Sequence, residues 1–427
     1  MDPVDLRVYR FGGFIAAHVW PWYQHRRAAP LYDWPGFEEL KFTYTPFAAI
    51  VFIAATVLPL HVLEHVSMAV NTVAMLTGIW VTFAAVGWPV QGRARQAGLV
   101  LLTGGVLFWT EPVQRVLYLG QIELILMALI MWDTGQPDRR WWKGAGIGLA
   151  AGIKLVPLIF IPYLLLTRRF RQAAVAAGTF VLTIAIGFAA DPADSARWWL
   201  GGLFFQGSRT GFTGWEGNQS LRGLITRLAG SVAGGEYPWL AAAVVTVVIG
   251  LAASVLFDRA GHRTVAVLTC ALTGVLVSPI SWDHHWVWIV PGVTAAVAYA
   301  ARTTGVVRWA NASLAAVMTL VFFGWPGSLW GQANDLAGFS LGLIWAPPNT
   351  NPGTYYRLGD QPWFAEYHWH GLQLLTGNLY VLTGIGLLIT LAVISVGLSR
   401  HRPDTQSQAS QPAPASSTTG VQTVSIS

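Results

Sequence analysis

The densest group of side chains able to do chemistry is Ser278-Pro279-Ile280-Ser281-Trp282-Asp283-His284-His285-Trp286-Val287-Trp288, where a carboxylate and two imidazoles occupy consecutive positions. Neighbouring histidines on a helix point about 100° apart, an arrangement that rarely closes on one metal ion. Binding a phosphate or orienting a substrate suits the pair better, and histidines bonded to backbone groups at a wet helix end are the alternative. Asp5, in Val4-Asp5-Leu6-Arg7-Val8-Tyr9, could serve as a general base if ionised and within reach of a hydroxyl. Its surroundings taken alone read as a solvated terminal aspartate. Lys154 lies in an apolar run close to Pro157, either facing an anion or snorkelling to the surface. Four further polar segments sit at the ends of apolar runs: Phe42-Thr43-Tyr44-Thr45-Pro46-Phe47, Trp109-Thr110-Glu111-Pro112, Gly120-Gln121-Ile122-Glu123 and Gly217-Asn218-Gln219-Ser220-Leu221-Arg222-Gly223. Each is weak alone. The single cysteine, Cys270, is inside an apolar run and reads as packing, which excludes an internal disulfide or a thiolate metal site.

The elements that must position these residues are membrane helices. Of 427 residues, 54% are hydrophobic and 11% charged, against roughly 25% charged in a soluble domain. Apolar runs recur from 46 to 398, each near the ~20 residues that cross a bilayer. The chain is therefore expected to be an all-α, polytopic integral membrane protein. Its net charge of +6 is not one basic patch of the kind that binds nucleic acid. The basic residues fall in short clusters between apolar runs, as the positive-inside rule distributes them.

Arg400 and Arg402 place the end of the last span, 377 to 398, in the cytoplasm, followed from Pro403 by a Ser, Thr, Gln, Ala and Pro tail expected to be disordered. Spans near 308 to 325, 286 to 301, 264 to 280 and 239 to 257 then alternate, which forces loops 191–238, 281–285 and 326–375 to the outer side. The run from 144 to 166 has basic clusters at both ends, Arg139, Arg140 and Lys143 before it and Arg168, Arg169 and Arg171 after it. One straight span cannot put both in the cytoplasm. Two half-helices meeting at Gly152-Ile153-Lys154-Leu155-Val156-Pro157 can, and non-helical backbone at membrane depth is tolerated only beside protein or a water-filled cavity. The segment 46 to 60 reads likewise as re-entrant or interfacial before a span from 66 to 88. Many of the 22 tryptophans, among them Trp198, Trp199, Trp215, Trp282, Trp286, Trp288, Trp363 and Trp369, adjoin the outer segments. An interfacial belt explains such tryptophans, and stacking on sugar faces or packing on isoprenoid is compatible with it.

Taken in order, the segments V-D-L-x-V-Y, F-T-Y-x-P-F-A-A, W-T-E-P, G-Q-I, G-x-K-L-x-P, N-Q-S-x-R-G and S-P-I-S-W-x-H-H-W-V-W make a series that resembles the polyprenol-phosphate-mannose-dependent α-1,2-mannosyltransferases of the GT-C superfamily, which elaborate phosphatidylinositol mannosides and lipomannan. The resemblance runs from Asp5 to about Leu398. It implies GT-C architecture, with outer-face loops and broken helices, and an active site on the extracytoplasmic side of the plasma membrane. There a β-mannosyl phosphate on a polyprenyl lipid meets a glycolipid acceptor. The chain departs from the family in having Thr45-Pro46 in place of Pro-Pro. Members also carry a transmembrane helix before the V-D-L-x-V-Y segment, so a further amino-terminal helix is expected, with 1–45 as an outer-face catalytic loop and juxtamembrane segment, 46–398 as the membrane domain and 399–427 as the tail.

By the same resemblance Asp5 is the catalytic aspartate, taking the acceptor hydroxyl proton in a single inverting displacement. Lys154, His284, His285 and Arg222 are candidates for the leaving phosphate, and Gln121, Asn218, Gln219 and Tyr44 for sugar or phosphate contacts. No cofactor and no metal is expected, since the lipid-linked mannose is a donor substrate. The expected partners are that donor, the glycolipid acceptor and membrane lipids, with no nucleic acid. A pentosyl or other sugar donor keeps the same machinery. A transporter or lipid flippase would instead carry ionisable residues near the middle of long spans.

Overall fold

The computed structural model describes residues 3–19, 31–33, 40–326, 340–346, 356–358, 361–363 and 365–400. Half of the 326–375 loop and the tail beyond residue 400 lie outside the described residues. The described chain is helical, with two short two-stranded antiparallel pairs, Trp325–Pro326 with Ser340–Leu341 and Tyr356–Leu358 with Gln361–Trp363. Among the described residues four helices are long and apolar enough to cross a bilayer: Leu60–Val86, Phe170–Ala190, Val232–Arg259 and Leu379–Arg400. Glu111–Leu119 and Glu123–Gly135, which meet at 116°, make a fifth if the bent pair is counted as one divided span rather than a re-entrant loop. Val73, Leu102, Val181, Val244 and Val393 point out of the bundle and are more than half exposed, the mark of a surface solvated by lipid. The chain is a multi-pass membrane protein.

Several boundaries differ from those read in the sequence. Arg263–Val277, Ile289–Arg302 and Gly305–Val321 are apolar helices of 15, 14 and 17 residues, shorter than the spans expected there. The helix expected from 239 begins at Val232, capped by the Ser231 hydroxyl, and contains Pro238. The segment 191–238, expected as an outer loop, is largely structured, with helices Pro192–Trp199 and Leu221–Ala229. The residues around Asp5, expected as a loop, form helix Val4–Val19. Leu6, Val8, Tyr9 and Ile15 supply its buried side, and the short helix Phe52–Thr56 packs against it.

The broken helix is present. Ala145–Ile153 stops at Lys154, whose backbone is extended (φ −139°, ψ 131°), and Val156–Ile159 and Phe160–Leu166 return. Both arms come back to one end of the bundle, where Asp138 gathers Lys143 at 2.9 Å, Arg263 at 2.8 Å and Arg169 at 4.0 Å. The opposing charge demands of the two basic clusters are thus met by a hairpin.

One arm packs tightly on helix Phe170–Ala190 through Gly144, Gly148 and Gly152 at four-residue spacing, the small-residue stripe that lets membrane helices approach closely. A Cβ at Gly148 would lie 2.3 Å from the Ala176 carbonyl oxygen, and one at Gly152 2.4 Å from Thr183 Oγ1. Gly148→Leu should destabilise the protein by about 1–3 kcal/mol, read as a lower melting temperature in detergent. Gly105→Leu, which meets no neighbour within 4 Å, should leave that temperature nearly unchanged. Equal effects of the two substitutions would contradict the packing.

Candidate active site

Two interruptions of helix build the site. At the elbow of the bent pair Gly120 is left-handed (φ 71°), and a Cβ there would come within 2.6 Å of Leu6 Cβ. Glycine therefore serves both the turn and the approach of the amino-terminal helix, which brings Asp5 to Gln121. Gln121 Oε1 accepts from the hydroxyls of Tyr9 and Tyr44, the latter at 3.1 Å. Its amide N–H is thereby left for the Asp5 carboxylate.

The second interruption delivers Lys154. Its ammonium donates to Glu123 Oε1 and, at 2.8 Å, to His285 Nε2. His285 is kept neutral, its pKa pushed down by burial and then by the adjoining Lys154 charge. Nε2 is therefore the acceptor, with the other ring nitrogen bonded to the Ile280 carbonyl. His284, on the same short helix Asp283–Trp288, has Nδ1 3.0 Å from Asp283 Oδ1. Its Nε2 is buried without a hydrogen-bond partner. Asp283 Oδ2 accepts from Arg115 Nε at 3.1 Å. Burial alone would push the Asp283 pKa up, but the guanidinium outweighs burial and holds the carboxyl well below the usual carboxylate range. Glu111, bonded to Trp345 Nε1 and Tyr380 OH at 3.2 Å each, lies 3.8 Å from Arg115 on the far side.

Asp5, Tyr44, Gln121, Lys154, His284 and His285 all line one cavity of about 200 Å³. Trp198 and Trp282 stand in its wall, whereas Trp286 is buried against Phe322 and Tyr380, so an interfacial belt does not account for it. Three expected contacts are elsewhere. Arg222 pairs with Glu236 at 2.6 Å and lies over the Trp239 ring, outside the cavity lining. Asn218 and Gln219 are fully buried among backbone partners: Asn218 joins Thr213 and Ser281, and Gln219 joins Glu216 and Gly377. Asn218 knits the segment 213–220 to the histidine loop and Gln219 ties it to the start of the last helix, so their amides are spent on the fold.

The sequence left Glu123, Asp283 and Arg115 without a role, although the first two belong to segments singled out for their polarity and Arg115 follows the Trp109-Thr110-Glu111-Pro112 segment by three residues. Adjacent histidines rarely close on one metal ion, but here a third potential ligand joins them. Ligand atoms of Glu123, His284 and His285 lie within 4.8 Å of one another, close enough to hold a cation. Glu123 arrives from a helix 161 positions upstream of His284, which spacing along the chain cannot reveal. The Lys154 ammonium already bonds two of the three.

The cavity thus combines a carboxylate, a clamped ammonium and a sheltered imidazole at two breaks of helix in a multi-pass membrane protein. The family profile described as glycosyltransferase family 87 matches residues 42–279, more than half of the chain. The chain belongs to that family and is a glycosyltransferase. Similar proteins include a polyprenol-phosphate-mannose-dependent α-(1-2)-phosphatidylinositol pentamannoside mannosyltransferase of Mycobacterium tuberculosis, 35% identical over 67% of this chain and 64% of the relative. The Mycolicibacterium smegmatis protein of the same name is 31% identical over 89% of this chain and 84% of its own length. A phosphatidylinositol mannoside mannosyltransferase of M. tuberculosis is 30% identical over 91% and 85%. No solved structure matches the chain. Membership in a glycosyltransferase family removes the transporter reading.

Burial raises the Asp5 pKa above its usual 3.8, opposed chiefly by the charge of His284. A general base works only when deprotonated, so activity should be present above this raised pKa and lost as pH falls through it. The acid limb of kcat/KM should therefore lie above pH 3.8, and His284→Ala should move it to higher pH. A limb at the ordinary aspartate value, or one that His284→Ala leaves in place, would argue against Asp5 as the titrating base.

Proposed function

We propose that the protein transfers mannose from a polyprenyl phosphomannose to a phosphatidylinositol mannoside or related glycolipid, forming an α-1,2 linkage with inversion at the extracytoplasmic face of the plasma membrane. The observation that carries this reading is the junction of two cavities. Behind the polar cavity lies a second of about 50 Å³, lined largely by apolar side chains such as Leu126, Met127, Ile130, Phe160 and Trp288. The two share Lys154, Val156 and His285. A donor with a sugar at one end, a phosphate in the middle and an isoprenoid at the other matches that order, its phosphate falling at Lys154. The names of the similar proteins support mannose as the sugar and phosphatidylinositol mannosides as the acceptor class.

In this mechanism Asp5 accepts the proton of the acceptor 2-hydroxyl as its oxygen bonds the anomeric carbon. The bond from that carbon to the phosphate oxygen breaks, and the polyprenyl phosphate leaves with the bonding pair. Because the β donor is attacked from the opposite face, the product is α and no covalent enzyme intermediate is needed. Charge grows on the phosphate as it leaves, so the site must supply fixed positive groups rather than an acid. Lys154 and the open Nε2 of His284 fill that role, in a setting of low dielectric that strengthens both. Gln121, with Tyr9 and Tyr44 behind it, orients the base.

Asp5→Asn should keep the shape of the site and lower turnover by about 10² to 10⁴-fold, measured with radiolabelled polyprenyl phosphomannose and a phosphatidylinositol mannoside in membranes holding equal amounts of protein. Turnover near that of the unmodified protein would refute the assignment. With Lys154 supplying the cation, transfer should survive exhaustive chelation. Loss in chelator that divalent metal restores would instead make Glu123, His284 and His285 a metal site.

A further inference from the structure

The cavity has a second set of cations that the transfer chemistry leaves unused. Lys41 and Arg209 line it together with Leu203 and Phe204. Among the described residues neither cation forms an ion pair; the nearby carboxylates Asp33 and Asp194 are taken by Arg197, at 2.5 and 3.1 Å, and neither lines the cavity. Arg209 is held in place from one side only. One Nη donates to the Tyr32 carbonyl at 2.6 Å, and the guanidinium lies over the Tyr32 ring, itself buried and stacked on Trp198. Arg209 Nε is buried with no partner. A preorganised guanidinium with an unspent donor, beside a second cation in the same cavity, is suited to an anionic oxygen ligand.

That anion is not the donor phosphate, because the apolar cavity adjoins Lys154 and His285 and includes neither Lys41 nor Arg209. The chain around Arg209 indicates its source. Leu200 and Phe205, just before it, are 80% and 77% exposed. Large apolar side chains that stand out beside cations mark a surface seated at the boundary of headgroups and acyl chains.

We infer that Arg209 and Lys41 form a subsite for the phosphodiester of an anionic glycolipid acceptor, with Leu200 and Phe205 against its acyl chains and its sugar reaching toward Asp5. The inference rests on the proposed acceptor class and adds how that class is told from neutral glycolipids. The donor and acceptor phosphates then occupy opposite parts of one cavity.

Equilibrium binding to the full-length protein in neutral detergent tests this without turnover. The ligands are a short-chain phosphatidylinositol dimannoside and a neutral dialkylglycerol dimannoside. The anionic lipid should bind more tightly. Arg209→Ala should weaken it about tenfold, the scale of one lost charge-assisted hydrogen bond, and leave the neutral lipid unchanged, with Arg209→Lys retaining part of the preference. Lys41→Gln removes an exposed side chain without a structural bond and should also reduce the preference, which guards against misfolding of the arginine variant. Millimolar inorganic phosphate should not displace the lipid. Equal affinity for the two lipids, equal weakening of both by the variants, or displacement by inorganic phosphate would overturn the subsite. Whether polyprenyl phosphomannose is the donor is read separately from transfer by the unmodified protein, so the two ideas fail independently.

Discussion

A lysine that interrupts a helix inside a membrane protein must find an anion, because an ammonium in low dielectric is costly until it is paired. Lys154 finds Glu123, which stands just past the elbow of another bent segment. This pair ties together two interruptions that would each be a defect alone. Breaking helix frees backbone groups and opens space, and the two breaks open it at the same level of the bundle. The cavity follows from that coincidence, and so does the location of its chemistry, since Gln121 and Lys154 at the two breaks both line it.

The other polar groups show how the remaining wall is made rigid. The histidine loop cannot hold itself: it is a short helix between two apolar ones, and it is fixed from outside by side-chain amides. Asn218 and Gln219 bond the backbone of Ser281, Gly377 and Val381, while Arg227, fully buried, bonds Asn378 and the carbonyls of Trp215 and Asn218. Behind the loop, Glu111, Arg115 and Asp283 form a linked polar network that ends at His284. Bonded on its Nδ1 side, the ring presents its Nε2 from a fixed place in a low-dielectric interior. The neighbouring cavity end, at Arg209 and Lys41, has less of this support and lies nearer the exposed apolar surface.

Much of this was legible along the chain. Apolar periodicity and the basic clusters define a multi-pass bundle, and conflicting charges at the two ends of 144–166 called for a hairpin turning at Lys154, where it turns. The ordered motifs identified the family and gathered Asp5, Tyr44, Gln121, Lys154 and both histidines, which share one cavity. Arg222, Asn218 and Gln219 were drawn in by belonging to the same motif, although side chains in one polar segment can serve the fold as readily as a ligand.

What the sequence determined by itself is therefore what depends on neighbours in the chain: which segments are apolar, where helix must break, and which residue types stand at the breaks. Tertiary structure decided the pairings. Glu123 meets Lys154 across 31 residues and His285 across 162, and Arg115 meets Asp283 across 168. It also made a helix of the residues around Asp5, because their apolar side gains a partner only once Phe52–Thr56 and the elbow at Gly120 are in place. A charge or a hydrogen-bonding amide carries no local signal of its partner. Desolvation makes the partner obligatory, but only the packed bundle fixes which of the available groups is close enough to be chosen.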